Sequence, residues 1–394
     1  MKKWRIYGAL GMLLAYSTGA MATNFWFTSS SPFQISTPSI IRNNPRSIAL
    51  VSTLAVTYTG YILYQYQKQQ EIRSRAKHLY NSIKKDRLYL IPHHTGSTAV
   101  VAVHGMCGSQ DLADLCVYSP DNEVGFILPH TQVIAFNFPD ATIDFAKAAR
   151  THYLGKQYRE SKLGYDLTKE DWERMRVASL AQEKDINHLE DAVLSDRAQC
   201  HHNLVLAGVS RGAATIINYM GSRLPPTNIK ALILDAPFDA IYDMLNARLK
   251  LKNLHMVPLL TTMFEFYITY LFKNYTPWGI RPIDVVDCIP NIPILMICSL
   301  EDTVVPPRNT MRLYKKLIKD GRTNVHLFIT KHGEHGRIMF DAEHPEVGIT
   351  YRNIVHAFLQ TYALEHEPTW ATAGHDVFAT CQPSVEYLNK TYAI

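Results

Sequence analysis

The chain has 394 residues, 47% hydrophobic and 19% charged, which describes a globular core and excludes a disordered or fibrous chain. That length allows two average domains, or one α/β domain of about 250–300 residues with extensions. Its net charge of +5 is modest and concentrated between Lys68 and Arg87, so it does not point to nucleic acid. Six cysteines are scattered with no C-x-x-C and no disulfide-framework spacing, which favours a reducing compartment for the folded part.

The N-terminal fifth reads as membrane-directed. Lys2, Lys3 and Arg5 precede an apolar run from Ile6 to Tyr16, and Ala20-Met21-Ala22 follows, so residues 1–27 have the pattern of a secretory signal or an uncleaved signal anchor. A second run, Ile48 to Tyr66, carries no charge and is long enough for about 30 Å of hydrocarbon. Residues 47–67 are therefore expected to form a transmembrane helix; a buried amphipathic helix of the following domain is the alternative. Lys68, Arg73, Arg75, Lys77, Lys84, Lys85 and Arg87 follow this run, against Arg42 and Arg46 before it. That asymmetry predicts a membrane protein whose downstream domain faces the cytoplasm.

From about Leu88 the chain alternates short β-branched runs with helical patterns. Ala99–His104, Gln132–Phe136, Asn203–Gly208, Lys230–Asp235, Pro293–Ser299 and Val325–Thr330 read as strands buried on both faces. Val177 to Gln199, Arg211 to Met220, Asn309 to Ile318 and Val347 to Ala363 read as helices. The pattern predicts an α/β fold with a mostly parallel sheet flanked by helices over residues 85–365. A polar insert lies between Phe138 and Met175. The stretch 240–288, rich in Leu, Phe, Tyr and Met, predicts a small helical cap over the C-terminal edge of the sheet; a third membrane segment is the competing reading, opposed by Glu265, Lys252 and Lys273. Residues 366–394 show no clear period and are read as a tail.

Gly208-Val209-Ser210-Arg211-Gly212 follows an apolar strand and opens a helical pattern. A nucleophilic serine must stand clear of a sheet edge in a strained turn, and Gly208 and Gly212 give the clearance that the turn needs. These residues resemble the nucleophile elbow of the α/β-hydrolase superfamily, and the resemblance covers roughly Leu88 to Ala363. It implies a chain order of serine, acid, histidine, each after a strand. Asp302, in the D-x-x-V-P run after Pro293–Ser299, is then the acid, with Glu301 as its competitor and Asp235 as a structural or secondary candidate. His335, in His332-Gly333-Glu334-His335-Gly336 after the last strand, is the histidine, with His332 as its competitor. The same resemblance makes His104-Gly105-Met106 the oxyanion loop and assigns the two donors to the backbone N–H groups of Met106 and Arg211. Asp185 falls on the helix before the nucleophile strand and is assigned no chemistry.

No metal-ligand spacing, phosphate loop or dinucleotide turn occurs, so neither a metal nor a cofactor is implied. The expected function is a serine hydrolase acting on an ester or thioester of a small-molecule acyl substrate, lipid-like ones included, at a membrane and without nucleic acid. A serine peptidase of the prolyl oligopeptidase or aminopeptidase type is the alternative, with Glu265 of the cap as the carboxylate to receive a peptide amine. A non-catalytic anchored protein of the same fold is the third reading.

Overall fold

The computed structural model describes residues 96–106, 108–111, 116–119, 125–141, 169–251, 258–319, 321–341 and 343–394. The chain divides into two units, 1–71 and 72–394, and every described residue belongs to the second. The signal or anchor at 1–27, the transmembrane helix at 47–67 and most of the 138–175 insert therefore lie outside the described residues. Among the described residues no helix is long and apolar enough to cross a membrane.

Six strands form one parallel sheet: β1 (Gly96–Val103), β2 (Gln132–Ala135), β3 (His201–Val209), β4 (Ile229–Asp235), β5 (Ile294–Ser299) and β6 (Val325–Thr330), in the order β2-β1-β3-β4-β5-β6. Period-2 geometry sends alternate side chains to opposite faces. Val101, Leu206, Leu232 and Met296 enter one core cluster, whereas Val100, Ala207, Ile233 and Leu295 enter another. Both faces are covered, which is why these strands read as continuous apolar runs.

Among the described residues the helices are α1 (Lys169–Val177), α2 (Glu183–Leu194), α3 (Asp196–Gln199), α4 (Arg211–Ser222), α5 (Ile241–Leu251), α6 (Pro258–Leu271), α7 (Pro282–Val285), α8 (Pro307–Ile318), α9 (Pro345–Thr361), α10 (Pro368–Ala379) and α11 (Val385–Tyr392). Ile186 and Leu189 of α2, Ile216 of α4 and Leu313 of α8 cover the first face. Tyr351, Ile354 and Phe358 of α9, with Phe378 of α10, cover the second. The chain thus forms three layers, helix on sheet on helix.

Two sequence expectations are corrected. The single helix expected over Val177 to Gln199 is broken: Val177 ends α1, and Leu180 and Ala181 take positive φ of 51° and 70° before α2 begins. The carboxylate of Asp185 accepts from the backbone N–H of Ser179 and Ala181, which fixes this turn. The 366–394 tail is also ordered as α10 and α11. Gly374 of α10 packs so close to α9 that an added Cβ would sit 2.2 Å from Asn353 O.

The 240–288 stretch supplies α5, α6 and α7. Ile241, Ile268, Leu271 and Phe272 pack with Ala214 of α4, Val305 and Met106 in a separate apolar cluster.

His356 of α9 is buried and used as a neutral ring. Its Nε2 donates to Phe126 O at 2.8 Å, and its Nδ1 accepts from the Glu367 N–H at 2.9 Å. Burial, the largest cause, pushes its pKa from 6.5 down to about 4. The unfolded chain therefore binds this proton between about pH 6.5 and 4 while the folded chain does not, so its contribution is full above pH 6.5 and is lost on acidification. Between pH 7 and pH 5 the wild type should lose about 2 kcal/mol more stability than His356→Gln. Urea unfolding at the two pH values measures the difference, and equal losses would refute the assignment.

Candidate active site

Sheet order reverses around β1, whose neighbours are β2 and β3, and such a switch point opens a crevice at the carboxyl ends of the strands. The loops after β1, β3, β5 and β6 end there with His104, Ser210, Asp302 and His335.

Ser210 stands between β3 and α4 at φ 55° and ψ −115°, a region that L residues rarely occupy. Its N–H donates to Asp235 O at 2.7 Å, and its C=O accepts from Ala214 N–H at 3.0 Å, so sheet and helix hold the turn from both sides. The flanking glycines are sterically required. A Cβ on Gly212 would sit 2.1 Å from Val103 O, and one on Gly208 would sit 2.7 Å from Ala213 N.

His335 Nε2 lies 2.8 Å from Ser210 Oγ, and its Nδ1 lies 2.6 Å from Asp302 Oδ2. The other carboxylate oxygen, Oδ1, accepts from the N–H groups of Val304 and Val305, each at 2.8 Å. A carboxylate engaged this way accepts from Nδ1–H, which leaves Nε2 free to accept from the serine hydroxyl. Asp302 and Ser210 are buried, and the imidazole side chain keeps 17% of its surface exposed. The arrangement can therefore take a proton from Ser210 while open to a substrate on one side.

The competitors lie elsewhere. His332 Nδ1 contacts Glu301 Oε1 at 3.0 Å, and the His332 ring stacks on His344 at 3.9 Å. The two residues weighed against Asp302 and His335 thus pair with one another, outside the line that reaches Ser210. Asp235 ends β4, buried, and its carboxyl is raised to about 7, first by burial and further by the Asp302 charge.

The loop after β1 approaches the nucleophile closely: a Cβ on Gly105 would lie 3.3 Å from Ser210 Cβ. His104, buried, spans Gly105 O at 2.7 Å with Nδ1 and accepts from Phe138 N–H at 3.0 Å with Nε2. Burial is the main cause holding its pKa below the usual value, which suits a neutral ring with that tautomer. Met106 follows this loop into the apolar cluster with α5 and α6. Arg211, in contrast, turns its side chain inward at 1% exposure, against Asp140 and Asp185. The sequence reading missed this cluster. The signal available was an arginine beside the nucleophile in an otherwise apolar strand-turn-helix.

Glu265 of α6 is buried and accepts from Tyr275 Oη at 2.9 Å. Burial above all raises its carboxyl to about 7. Among the described residues no group of three or more His, Cys, Asp or Glu is arranged to hold a metal ion.

The fold and the line from Ser210 through His335 to Asp302 are similar to those of α/β-hydrolase superfamily serine hydrolases. More narrowly, residues 183–363, from the start of α2 to just past α9, match the model of the Prolyl oligopeptidase family. The chain is 32% identical over 161 residues to the uncharacterized protein YqkD of Bacillus subtilis (strain 168), a match of 40% of this chain and 48% of that protein. It thus spans about half the length of the curated relative it matches. Among solved structures it is similar to an esterase of Pyrococcus furiosus, at 18% identity over 68% of this chain and 82% of that one, TM-score 0.40. An acylaminoacyl peptidase of Pyrococcus horikoshii is similar at 14% identity over 68% of this chain and 38% of that one, TM-score 0.44. Likenesses of this size carry nothing about substrate.

Proposed function

We propose that this chain hydrolyses an ester or thioester of an acyl chain, with Ser210 as nucleophile, His335 as general base and acid, and Asp302 as the carboxylate that orients the imidazole. The observation that carries this reading is the unbroken line from Ser210 Oγ through His335 to Asp302, at 2.8 and 2.6 Å. His335 Nε2 takes the hydroxyl proton as Oγ bonds to the acyl carbon, and Asp302 stabilises the imidazolium. The carbonyl oxygen becomes an oxyanion facing the N–H groups of Arg211 and Met106. Collapse expels the alcohol or thiol, which leaves with the proton from His335, and the acyl group stays on Ser210. A water then repeats the sequence in reverse, giving the free acid and restoring the serine. No step needs a metal or a cofactor.

An acyl substrate is supported by the apolar surroundings of Met106, where Met244, Leu245, Tyr267 and Ile268 gather. Met263, Phe264, Phe266 and Tyr270 add exposed apolar surface on α6. In this reading the 47–67 segment anchors the enzyme at a membrane with its catalytic unit facing the cytoplasm, which brings lipid-like substrates to high local concentration.

A serine peptidase is the second reading, favoured by the Prolyl oligopeptidase family match. Glu265, the carboxylate that this reading would use for a peptide amine, is buried and accepts from Tyr275 Oη.

A fluorophosphonate probe should label the wild type and leave Ser210→Ala unlabelled. Labelling that persists in Ser210→Ala would overturn the nucleophile, as would a folded wild type that takes no label. Acyl esters, thioesters and aminoacyl amides, assayed side by side, then separate the two substrate readings.

A further inference from the structure

The guanidinium of Arg211 lies buried behind the nucleophile between two carboxylates. Its Nε and Nη2 donate to Asp185 Oδ2 and Oδ1 at 2.7 and 2.8 Å, and its Nη1 reaches both oxygens of Asp140 at 2.7 Å. Its planar face covers the Phe138 ring at 4.3 Å. Burial alone would lower the arginine's pKa, but the two carboxylates hold it above the usual value. Burial alone would likewise raise the Asp185 carboxyl, yet the arginine and the N–H groups of Ala181 and Ser179 bring it below the usual range.

Two segments meet at this one side chain, and a third joins them through Phe138. Asp185 accepts from Ala181 N–H at 2.5 Å and so carries the turn before α2. Asp140 belongs to the loop after β2. In that loop Phe138 donates its N–H to His104, the residue that opens the Gly105-Met106 loop. The peptide of Arg211 and the peptide of Met106 are thus joined through a continuous set of contacts: Arg211 to Phe138 and Asp140, Phe138 to His104, His104 to Gly105.

As a stabilising device this would be a poor choice. One cation between two carboxylates leaves net negative charge in a dry interior, and such clusters are often matched in stability by apolar residues of similar volume. What a forked, planar, many-donor group does better is fix geometry.

We propose that Asp140 and Asp185 are positioning residues that lock the Arg211 side chain, and that this lock sets the Arg211 N–H and, through Phe138 and His104, the Met106 N–H in the places where the oxyanion forms. This inference rests on the reading of Ser210 as the nucleophile. Preorganised donors are effective because they need no reorganisation when charge appears, and loss of one such donor costs about 10²–10³ in rate. A loosened donor should cost less than a missing one.

The test uses Asp140→Asn, Asp185→Asn and Arg211→Lys in the full chain. The wild type is first titrated with a fluorophosphonate, and failure to label overturns the nucleophile reading itself. With a labelled wild type, each folded variant should show kcat lowered about tenfold or more and KM within about twofold. A trifluoromethyl ketone, which binds as a tetrahedral oxyanion adduct, should lose affinity in proportion to kcat. Substrate affinity measured in a Ser210→Ala background should not change. Asp185 also holds a backbone turn, so its variant can fail to fold; Asp140, both of whose carboxylate oxygens accept from Arg211, then decides. A folded Asp140→Asn with unchanged kcat overturns the lock alone. So does a loss of kcat that leaves the ketone's affinity untouched, since a merely structural role would give that result.

Discussion

His335→Ala is expected to lower kcat by about a million-fold with KM little changed, because a triad member acts as part of one unit and its loss removes nearly all of that unit's effect. Asp302→Asn should cost about ten-thousand-fold for a different reason. An asparagine can present its N–H₂ to His335 Nδ1, and the proton then moves to Nε2, the nitrogen that must accept from Ser210 2.8 Å away. The serine loses its base while the site keeps its shape. The same two substitutions at the neighbouring pair give the control. His332→Ala and Glu301→Gln break a contact at the site's margin, 3.0 Å long with Glu301 half exposed, the first also removing the stack on His344, and should leave kcat within about twofold. Steady-state hydrolysis of the best acyl ester measures all four. A silent His335→Ala beside a crippled His332→Ala would exchange their roles.

The pattern of success in the sequence reading follows from how far apart the interacting residues lie. The strands could be read because each buries both faces and so carries an unbroken apolar run, as in Ile294–Ser299, where all six residues are buried. The elbow could be read because its pattern is compact: Gly208 must clear the backbone of Gly212 and Ala213 within one turn, even though Gly212 itself clears Val103 at the end of β1. The placement of Asp302 and His335 depended on the superfamily's chain order, since 33 residues separate them and nothing local links a loop to its partner.

What could not be read has a physical reason in each case. The buried face of α10 is Ala371, Gly374 and Phe378, correctly spaced but mostly small, because α10 lies against α9 too closely for anything larger. A hydropathy period built from alanine and glycine is faint. The break before α2 places Leu180 and Ala181 at positive φ, which costs about 1–2 kcal/mol per residue for ordinary side chains and has no residue-type signature here. The turn is paid for by partners that are distant or specific: Asp185, and Asn218, whose Nδ2 donates to Ala181 O at 2.7 Å. The Arg211 cluster joins positions 26 and 71 residues apart, which no periodicity connects.

Gly212→Ala is expected to be the most damaging single methyl in the domain. The added carbon would lie 2.1 Å from Val103 O, 2.7 Å from Val103 C and 2.8 Å from His104 O, all backbone atoms at the end of a central strand. A flexible side chain could rotate away; a strand bonded on both sides cannot. β1 and α4 must therefore separate, at a cost of about 3 kcal/mol or more, the upper range for overpacking. The displacement would also carry the His104-Gly105-Met106 loop away from Ser210, so the folded fraction should lose activity beyond what its stability explains. Gly321→Ala separates this from a general intolerance of alanine. Gly321 has φ +78° and nothing within 4 Å of an added Cβ, so only backbone strain of about 1 kcal/mol applies. Urea unfolding of the two variants measures the difference. Equal stabilities would mean that β1 and α4 part without cost, and that the close approach beneath the nucleophile is not what holds the elbow in place.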